Sequence, residues 1–174
     1  MAKQNNKART NSLRIIGGVW RGRKLTFPEV EGLRPTSDRT RETIFNWLQP
    51  SMGGSRCLDL FAGSGALGFE AASRGAAEVV LIENNQQAFL QLKQNADTLK
   101  ASNCVIKNSS ANQAIIESTI PFDIVFIDPP YQADLWTDTA ENLVSQGILS
   151  QGALIYLEYP AKEDMPILPT SWHL

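Results

Sequence analysis

The segment "LDLFAGSGALG", residues 58–68, decides the fold, because it joins a short apolar run to a glycine turn and the start of a helical pattern. Gly63 and Gly65 have no Cβ, so the backbone there can turn tightly and approach a ligand closely. Asp59 precedes the glycines, at the predicted strand end. A carboxylate at this position would repel a pyrophosphate and attract a cation. The segment therefore predicts a strand–turn–helix unit whose turn could hold a ligand, although a plain glycine turn before a helix is the alternative.

The chain that follows Arg56 alternates between short apolar runs and longer amphipathic segments. Continuously apolar runs are typical of parallel strands that are covered on both faces. Such alternation predicts an α/β fold with a Rossmann-like, mostly parallel, doubly wound sheet. The strand-like runs are "CLDLF", "VVLIE", "CVIKNS", "FDIVFID" and "ALIYLEY".

Two further elements are predicted before this sheet. The stretch "LRIIGGVWRGRKLTFP" indicates a β-hairpin, with short strands at Leu13–Ile16 and Lys24–Phe27 and glycines between them. The stretch "GLRPTSDRTRETIFNWLQP" indicates a helix that Thr36 or Ser37 can cap and that ends at Pro50. We therefore expect an N-terminal extension in front of the α/β domain.

The charges of the chain are unevenly distributed. Residues 1–41 contain ten Lys or Arg and three Asp or Glu, whereas the other 133 residues contain six and fifteen. A basic end on an acidic body is expected where that end meets phosphate, although a solubilising tail is the alternative. We expect residues 1–33 to form a basic arm and hairpin that contact RNA, and residues 34–174 to form the α/β domain. The predicted RNA-binding residues, close together around Trp20, are Arg21, Arg23 and Lys24.

The composition is typical of a globular domain, with 174 residues of which 43% are hydrophobic and 20% are charged. No apolar run approaches the roughly 18 residues that would cross a bilayer, and the polar, basic first dozen residues do not form a secretory signal. Cys57 and Cys104 lie in apolar runs, which favours buried free thiols in a reducing compartment. We therefore expect a cytoplasmic protein that has neither a membrane partner nor a metal site.

An acidic residue ends the second strand-like run. Glu83 follows the glycines by roughly 20 residues, where Rossmann-type folds place an acid that binds both ribose hydroxyls. A solvated loop carboxylate is the alternative. After the third run, "NSSA" places Ser110 and Ala111 where an adenine edge would lie. Together with Asp59, these residues predict a nucleoside ligand that carries a positive, amino-acid-like substituent, and S-adenosylmethionine has this chemistry.

The fourth strand-like run ends in "DPPY", residues 128–131. Neither proline can donate a backbone hydrogen bond, and each fixes φ near −65°, so the turn is stiff. It could serve only to end a strand. It could also bind a flat, amino-bearing ring, because Asp128 and the carbonyl of Pro129 can accept from an amine while Tyr131 stacks on the ring.

These motifs resemble those of class I amino-methyltransferases that act on nucleic acid bases. The order of "IIGGVWRGRKL", "GLRPTSDRTRETIFNWL" and "CLDLFAGSGALGFEA" is similar to that of the RsmD family, from about Leu13 to Leu174. This family transfers methyl groups to guanine N2 in bacterial 16S ribosomal RNA. The resemblance implies a class I methyltransferase fold, S-adenosylmethionine as cofactor, and a substrate within an assembling small ribosomal subunit. We also expect a monomer.

The resemblance also assigns site residues. It implies target-base contacts, with the catalytic residues being Asp128, Pro129 and Tyr131. It implies cofactor contacts from Arg34, Thr36, Asp59, Gly63, Gly65, Glu83, Ser110 and Ala111. Members of this family usually finish the sheet with an antiparallel strand pair, and "PTSWHL" could begin only the first of these strands. We therefore expect a sheet without its last strands.

Two other functions remain open at this point. The first is an RNA-binding ribosomal scaffold, although a scaffold has no need of a carboxylate that faces a sulfonium. The second is methylation of adenine or cytosine amines in DNA, since "DPPY" also occurs in DNA adenine methyltransferases. Against it, the chain has little room for a separate DNA-recognition domain.

Overall fold

A five-stranded parallel sheet lies at the centre of the computed structural model, which describes residues 10–31, 33, 35–131 and 134–174. A separate two-stranded hairpin precedes this sheet. In chain order the elements are β1 (Thr10–Arg14), β2 (Lys24–Pro28), α1 (Asp38–Met52), β3 (Arg56–Asp59), α2 (Ala66–Ser73), β4 (Glu78–Glu83), α3 (Gln86–Leu99), β5 (Cys104–Asn108), α4 (Ala111–Glu117), β6 (Phe122–Ile127), α5 (Trp136–Ser145) and β7 (Leu149–Leu157).

The strands of the sheet are ordered β5-β4-β3-β6-β7, and every pair is parallel. Within the sheet, the chain enters at the central β3 and runs outward through β4 and β5. It then crosses back to place β6 on the other side of β3. In open α/β sheets, ligands bind outside the carboxyl ends of the strands where the order reverses in this way. The carboxyl ends of β3 and β6 therefore flank the expected ligand crevice.

Both faces of the sheet are covered, as the apolar runs predict. Successive side chains of a strand point to opposite faces, and β4 follows this rule. Val79 and Leu81 belong to the core that the hairpin, α1, α2 and α3 share. Val80 and Ile82 belong to the second core, which α4 and α5 cover. The predicted parallel sheet with an N-terminal hairpin is therefore confirmed.

Several boundaries differ from those predicted. The hairpin strand β1 lies at Thr10–Arg14 and not at Leu13–Ile16. Helix α1 begins after Ser37, whose side chain accepts from the N–H of Thr40, but it continues past Pro50. A proline this close to a helix end removes only one late backbone bond, and the burial of Met52 in the core offsets that loss.

Three smaller expectations concern the cysteines, the membrane and the chain end. Cys57 is buried and Cys104 is half-buried, and both are free thiols. None of the helices in the described ranges is both long and apolar enough to cross a membrane. Residues 158–174, all of which the structure describes, contain turns and irregular segments but no strand.

The buried carboxylate of Glu70, on α2, attaches the hairpin to the sheet. Its two oxygens accept from the backbone N–H groups of Ile16 and Gly17, each at 2.8 Å. Arg74 donates to the same carboxylate at 2.7 Å, and Arg41 Nη1 lies 3.5 Å from it. Glu70 and Arg41 are fully buried. The carboxylate of Glu70 therefore joins three parts of the fold, which are the loop after β1, helix α1 and helix α2.

Ser73, one turn later on α2, holds the next part of the hairpin. Its Oγ accepts from the N–H of Trp20 at 2.9 Å and donates to the carbonyl of Gly17 at 2.6 Å. Gly18 has a φ of 74°, and a Cβ there would lie 1.9 Å from the carbonyl oxygen of Ser73. Only glycine permits this approach. The proposed boundary between residues 33 and 34 stays a prediction, since the hairpin shares its core with the sheet.

We predict that Glu70→Ala lowers the free energy of unfolding by about 3–5 kcal/mol, because it leaves the guanidinium group of Arg74 and two backbone N–H groups without their acceptor and removes the negative charge beside the buried Arg41. Urea denaturation measures this change. Glu78→Ala is the matched control. Glu78 pairs with Arg56 at 2.7 Å, but the two side chains are 40% and 23% exposed, so we expect about 1 kcal/mol or less. Equal losses in the two variants would contradict the role of Glu70.

Candidate active site

Four carboxylates lie along one edge of the sheet, one at the end of each of four adjacent strands. Glu83 ends β4 and Asp59 ends β3, whereas Asp128 and Glu158 directly follow β6 and β7. The strands are neighbours in the order β4-β3-β6-β7, so the carboxylates follow the same order. The row crosses the point where the strand order reverses, which is the expected ligand crevice.

The glycine turn after β3 is shaped as the sequence predicts. Gly63 and Gly65 have φ values of 52° and 79°, in the left-handed region that favours glycine. Gly65 caps α2, and a Cβ on it would lie 2.5 Å from the ring of Phe69 and 2.7 Å from Leu92. A larger residue at this position would push α2 away from α3. The backbone of the turn is thus kept bare and close to the carboxylate row.

Asp59 supports this turn from beneath. It is 2% exposed, and its Oδ2 accepts from the N–H of Gly68 at 3.0 Å. Burial raises the pKa of the Asp59 carboxyl to about 7, and the charge of Glu83 contributes to this rise. Hydrogen bonds from the N–H groups of Gly68 and Phe61 lower the pKa and oppose the effect of burial in part. The structure therefore gives Asp59 a role in fixing the first turns of α2, besides its place in the carboxylate row.

Glu83 connects the glycine turn to α3. It is 9% exposed. Its Oε2 accepts from the N–H of Gly63 at 2.8 Å, and its Oε1 accepts from the N–H of Asn85 at 2.7 Å. A carboxylate oxygen has two acceptor sites, so each keeps one for a further donor. The side chain is thus held in place by the backbone segments that follow β3 and β4.

The residues predicted at the adenine edge begin α4. The Oγ of Ser110 accepts from the N–H of Gln113 at 3.3 Å, so this side chain caps the helix. Ala111 is the first residue of α4 and is buried in the second core. Both lie just beyond the carboxyl end of β5, next to Glu83, whose carbonyl accepts from the side chain of Asn108 at 2.9 Å. Their contact with a ligand stays a prediction.

The segment between the hairpin and α1 approaches the glycine turn. A Cβ on Gly63 would lie 3.6 Å from Leu33. The carbonyl of Thr36 accepts from Arg41 Nε at 3.2 Å, which ties this segment to α1. Arg34 lies outside the described residues. The structure thus brings Leu33 to the glycine turn, and the contact of Thr36 with a ligand stays a prediction.

The "DPPY" turn leaves β6 beside Asp59. Burial raises the pKa of the Asp128 carboxyl to about 7, and the charges of Glu158 and Asp59 add to this rise. Pro129 is buried, whereas Tyr131 is 49% exposed with its ring centroid 6.3 Å from that of Trp136. The turn therefore presents an acceptor and an accessible aromatic ring at the same edge.

Sequence reasoning missed Glu158. Its signal was available, because it follows the last strand-like run in the way that Asp128 follows the fourth. Glu158 accepts from the hydroxyls of Tyr131 and Tyr156, at 3.2 Å and 2.9 Å. Its carbonyl accepts from the indole of Trp136 at 2.7 Å. Glu158 is thus the residue around which the aromatic side chains of the site are arranged.

The carboxylate row has no counter-charge within the described part of the chain. The ion pairs found there involve other acids, which are Asp38, Glu70 and Glu78. Repulsion within the row contributes to the raised pKa values of Asp59 and Asp128. Such a row favours a ligand that brings positive charge.

The predicted RNA-binding residues lie at the opposite edge of the sheet. Helices α2 and α3 run from the carboxylate edge to the other edge. The loop with Arg21 and Arg23, together with Lys24 at the start of β2, lies at their ends. Trp20 contacts Ser73 at the end of α2, and Arg23 Nη2 donates to the carbonyl of Thr98 near the end of α3, at 3.0 Å. All three basic side chains are exposed. Their role in RNA binding stays a prediction.

Comparison with known proteins gives consistent results. A family model described as "Conserved hypothetical protein 95" matches residues 13–174. The ribosomal RNA small subunit methyltransferase D of Escherichia coli K12 is 47% identical over 172 residues, which cover 99% of this chain and 87% of that protein. The protein of the same name from Haemophilus influenzae is 46% identical over 167 residues, which cover 93% of this chain and 86% of that protein. The solved structure of yhhF from Escherichia coli has a TM-score of 0.87 and 45% identity, and covers 94% of this chain and 89% of that one.

We predict that Asp59→Asn becomes progressively more stable than the wild type as the pH rises from about 4 to 7. An unfolded aspartate loses its proton near pH 3.8, whereas Asp59 in the folded protein keeps it until about pH 7. The wild type therefore loses stability across this window, by up to about 1.4 kcal/mol per pH unit, and asparagine does not. Urea denaturation at several pH values measures the difference. Asp97→Asn, at an exposed position of α3, is the control. The prediction would be contradicted if the stability difference between Asp59→Asn and the wild type changed with pH no more than that of Asp97→Asn.

Proposed function

Because the chain belongs to the family described as Conserved hypothetical protein 95, the RsmD family of methyltransferases, we propose that it transfers a methyl group from S-adenosylmethionine to the N2 amine of a guanine in bacterial 16S ribosomal RNA. The observation that carries the proposal is the row of four carboxylates beside the glycine turn. The names of the relatives support ribosomal RNA as the substrate.

The residues of the crevice fit this cofactor. The bare backbone at Gly63 and Gly65 admits a ligand, and Glu83 keeps an acceptor site on each oxygen for a ribose hydroxyl. The uncompensated carboxylates of the row, which include Asp59 at the end of β3, suit a ligand with a positive amino-acid portion. When bound, S-adenosylmethionine supplies a methyl group on a positively charged sulfur. The other residues that we propose as cofactor contacts are Arg34, Thr36, Ser110 and Ala111.

The "DPPY" turn would bind the target base. The amine of guanine is a poor nucleophile, because its lone pair is delocalised into the ring. Asp128 and the carbonyl of Pro129 accept its two N–H bonds and so localise the lone pair, while Tyr131 stacks on the base. With a pKa of about 7, Asp128 can be ionised at neutral pH, and its carboxylate can then also receive the proton that the amine releases. Alignment in a water-poor site then supplies most of the rate.

The N-terminal region would bind the rest of the RNA. We propose that residues 1–33 contact RNA phosphates through the basic loop, and that residues 34–174 form the catalytic domain. An assembling small subunit offers an RNA surface wide enough to reach both edges of the sheet, and the protein would act on it as a monomer. The basic loop then adds affinity without touching the chemistry.

We predict that Asp128→Ala abolishes methyl transfer and leaves the dissociation constant of S-adenosylmethionine within about threefold of the wild type. The side chain faces the target amine in this proposal and does not hold the cofactor. Calorimetric titration gives the affinity, and label transfer to 16S rRNA from a strain without the methylation gives the activity. Near-normal turnover would contradict the role of Asp128.

We predict the opposite pattern for Glu83→Ala. The loss of charge-assisted bonds to a ribose, and of the link between Gly63 and Asn85, weakens cofactor binding by about tenfold or more. The same titration measures it, and activity should recover partly at high cofactor concentration. An unchanged dissociation constant would remove Glu83 from the cofactor site.

We predict that Arg21→Ala with Lys24→Ala weakens rRNA binding and reduces the slope of log affinity against log salt by about 1.4–1.8, for two lost phosphate contacts. Arg23 is left in place because it closes the end of α3. Filter binding at several salt concentrations measures the slope. Lys107→Ala with Lys162→Ala removes the same charge elsewhere and serves as the control. A wild-type slope in the first variant would mean that RNA binds at another surface.

A further inference from the structure

Glu158 stands directly beside the proposed amine acceptor. Ile127 and Leu157 are paired in the β6–β7 ladder, and Asp128 and Glu158 are the next residues on these two strands. The N–H of Glu158 donates to the carbonyl of Ile127 at 3.0 Å, so the ladder continues to this point. Neighbouring strands lie about 4.8 Å apart. Two carboxylates therefore emerge side by side where the target base would enter.

The Glu158 carboxylate is held in a defined position. Tyr131 donates to Oε1 and Tyr156 donates to Oε2, while the backbone of Glu158 is held by Ile127 and Trp136. Each oxygen has a second acceptor site. No lysine or arginine in the described ranges pairs with this carboxylate. A fixed, half-buried acceptor with spare capacity is suited to recognising a hydrogen-bond donor.

The proposed function leaves one such donor without a partner. Asp128 and the Pro129 carbonyl use both N–H bonds of the guanine amine. The N1–H of guanine lies next to that amine, because N1 is bonded to the ring carbon that carries the amine. This N–H therefore enters the same water-poor site. A buried donor without an acceptor would weaken binding substantially. The base therefore requires another acceptor adjacent to Asp128.

We propose that Glu158 accepts the N1–H of the target guanine and so determines the specificity of the enzyme for guanine. This inference rests on the proposed function and extends it to base selection. Adenine carries a lone pair at N1 beside its amine, and a carboxylate repels this lone pair. Glu158 thus admits a base whose amine neighbours a donor and rejects one whose amine neighbours an acceptor.

The test compares guanine with 2-aminopurine at the methylated position of 16S rRNA. 2-Aminopurine keeps the N2 amine but has a lone pair at N1 in place of the hydrogen. The position is first mapped with the wild-type protein, and ligated rRNA with either base is then assembled into particles. We expect the wild type to prefer guanine by about a hundredfold or more in kcat/KM, because a site that binds a donor rejects the analogue without it.

Glu158→Gln supplies the decisive comparison. Its amide can accept from guanine N1–H or donate to the N1 of 2-aminopurine, so we expect the preference to fall by about tenfold or more. The missing O6 of 2-aminopurine affects both proteins alike and cancels in the comparison. Glu163→Gln, at an exposed position of the same terminal segment, should keep the wild-type preference. Cofactor affinity, measured by calorimetry, should be unchanged in both variants.

The outcomes separate the two proposals. A wild-type preference that Glu158→Gln retains would overturn the role of Glu158 and leave the proposed function intact. Equal use of both bases by the wild type would do the same. Absence of transfer from the wild type to particles with the natural guanine would overturn the proposed function itself.

Discussion

The crossover that brings β6 beside β3 is the constraint on which the site depends. It places the carboxyl ends of the two central strands next to each other, and each of these strands carries an aspartate there. The glycine turn leaves on one side and the "DPPY" turn on the other, so the two halves of the crevice come from segments that are far apart in sequence. Neither turn would form a site alone. The parallel register between Cys57–Asp59 and Ile124–Phe126 is what joins them.

The row of like charges is tolerated because packing elsewhere stabilises the sheet. Burial and repulsion both disfavour the ionised forms of Asp59 and Asp128, as their raised pKa values of about 7 show. The opposing contribution comes from two apolar cores that cover both faces of the sheet. The crevice is thus electrostatically unfavourable without a counter-charge, and a cationic ligand would relieve this repulsion. Binding energy and charge relief then act in the same direction.

Much of this arrangement could be predicted from local patterns. The alternation of apolar runs predicted the sheet. The same runs show where the strands end, and the acids at these ends are Asp59, Glu83 and Asp128. Glu158 was missed because its importance arises from the β6–β7 pairing and from two tyrosine hydroxyls. The location of Arg21, Arg23 and Lys24 could not be predicted either. The charge composition shows that a basic cluster exists. The edge of the sheet at which this cluster lies depends on the direction in which β2 runs along α3, and that direction is a property of the packing.

The direction of the hairpin has a consequence for the size of the substrate. Helix α2 has eight residues, from Ala66 to Ser73, and at 1.5 Å per residue it separates the two edges by about 12 Å. This distance corresponds to three or four base steps along a nucleic acid helix. In the proposed function, a mononucleotide bound in the crevice would not also reach the loop around Trp20. Under the proposed function, a folded RNA would gain two points of attachment on the protein, one at the crevice and one at the loop around Trp20, whereas a small fragment would gain only one.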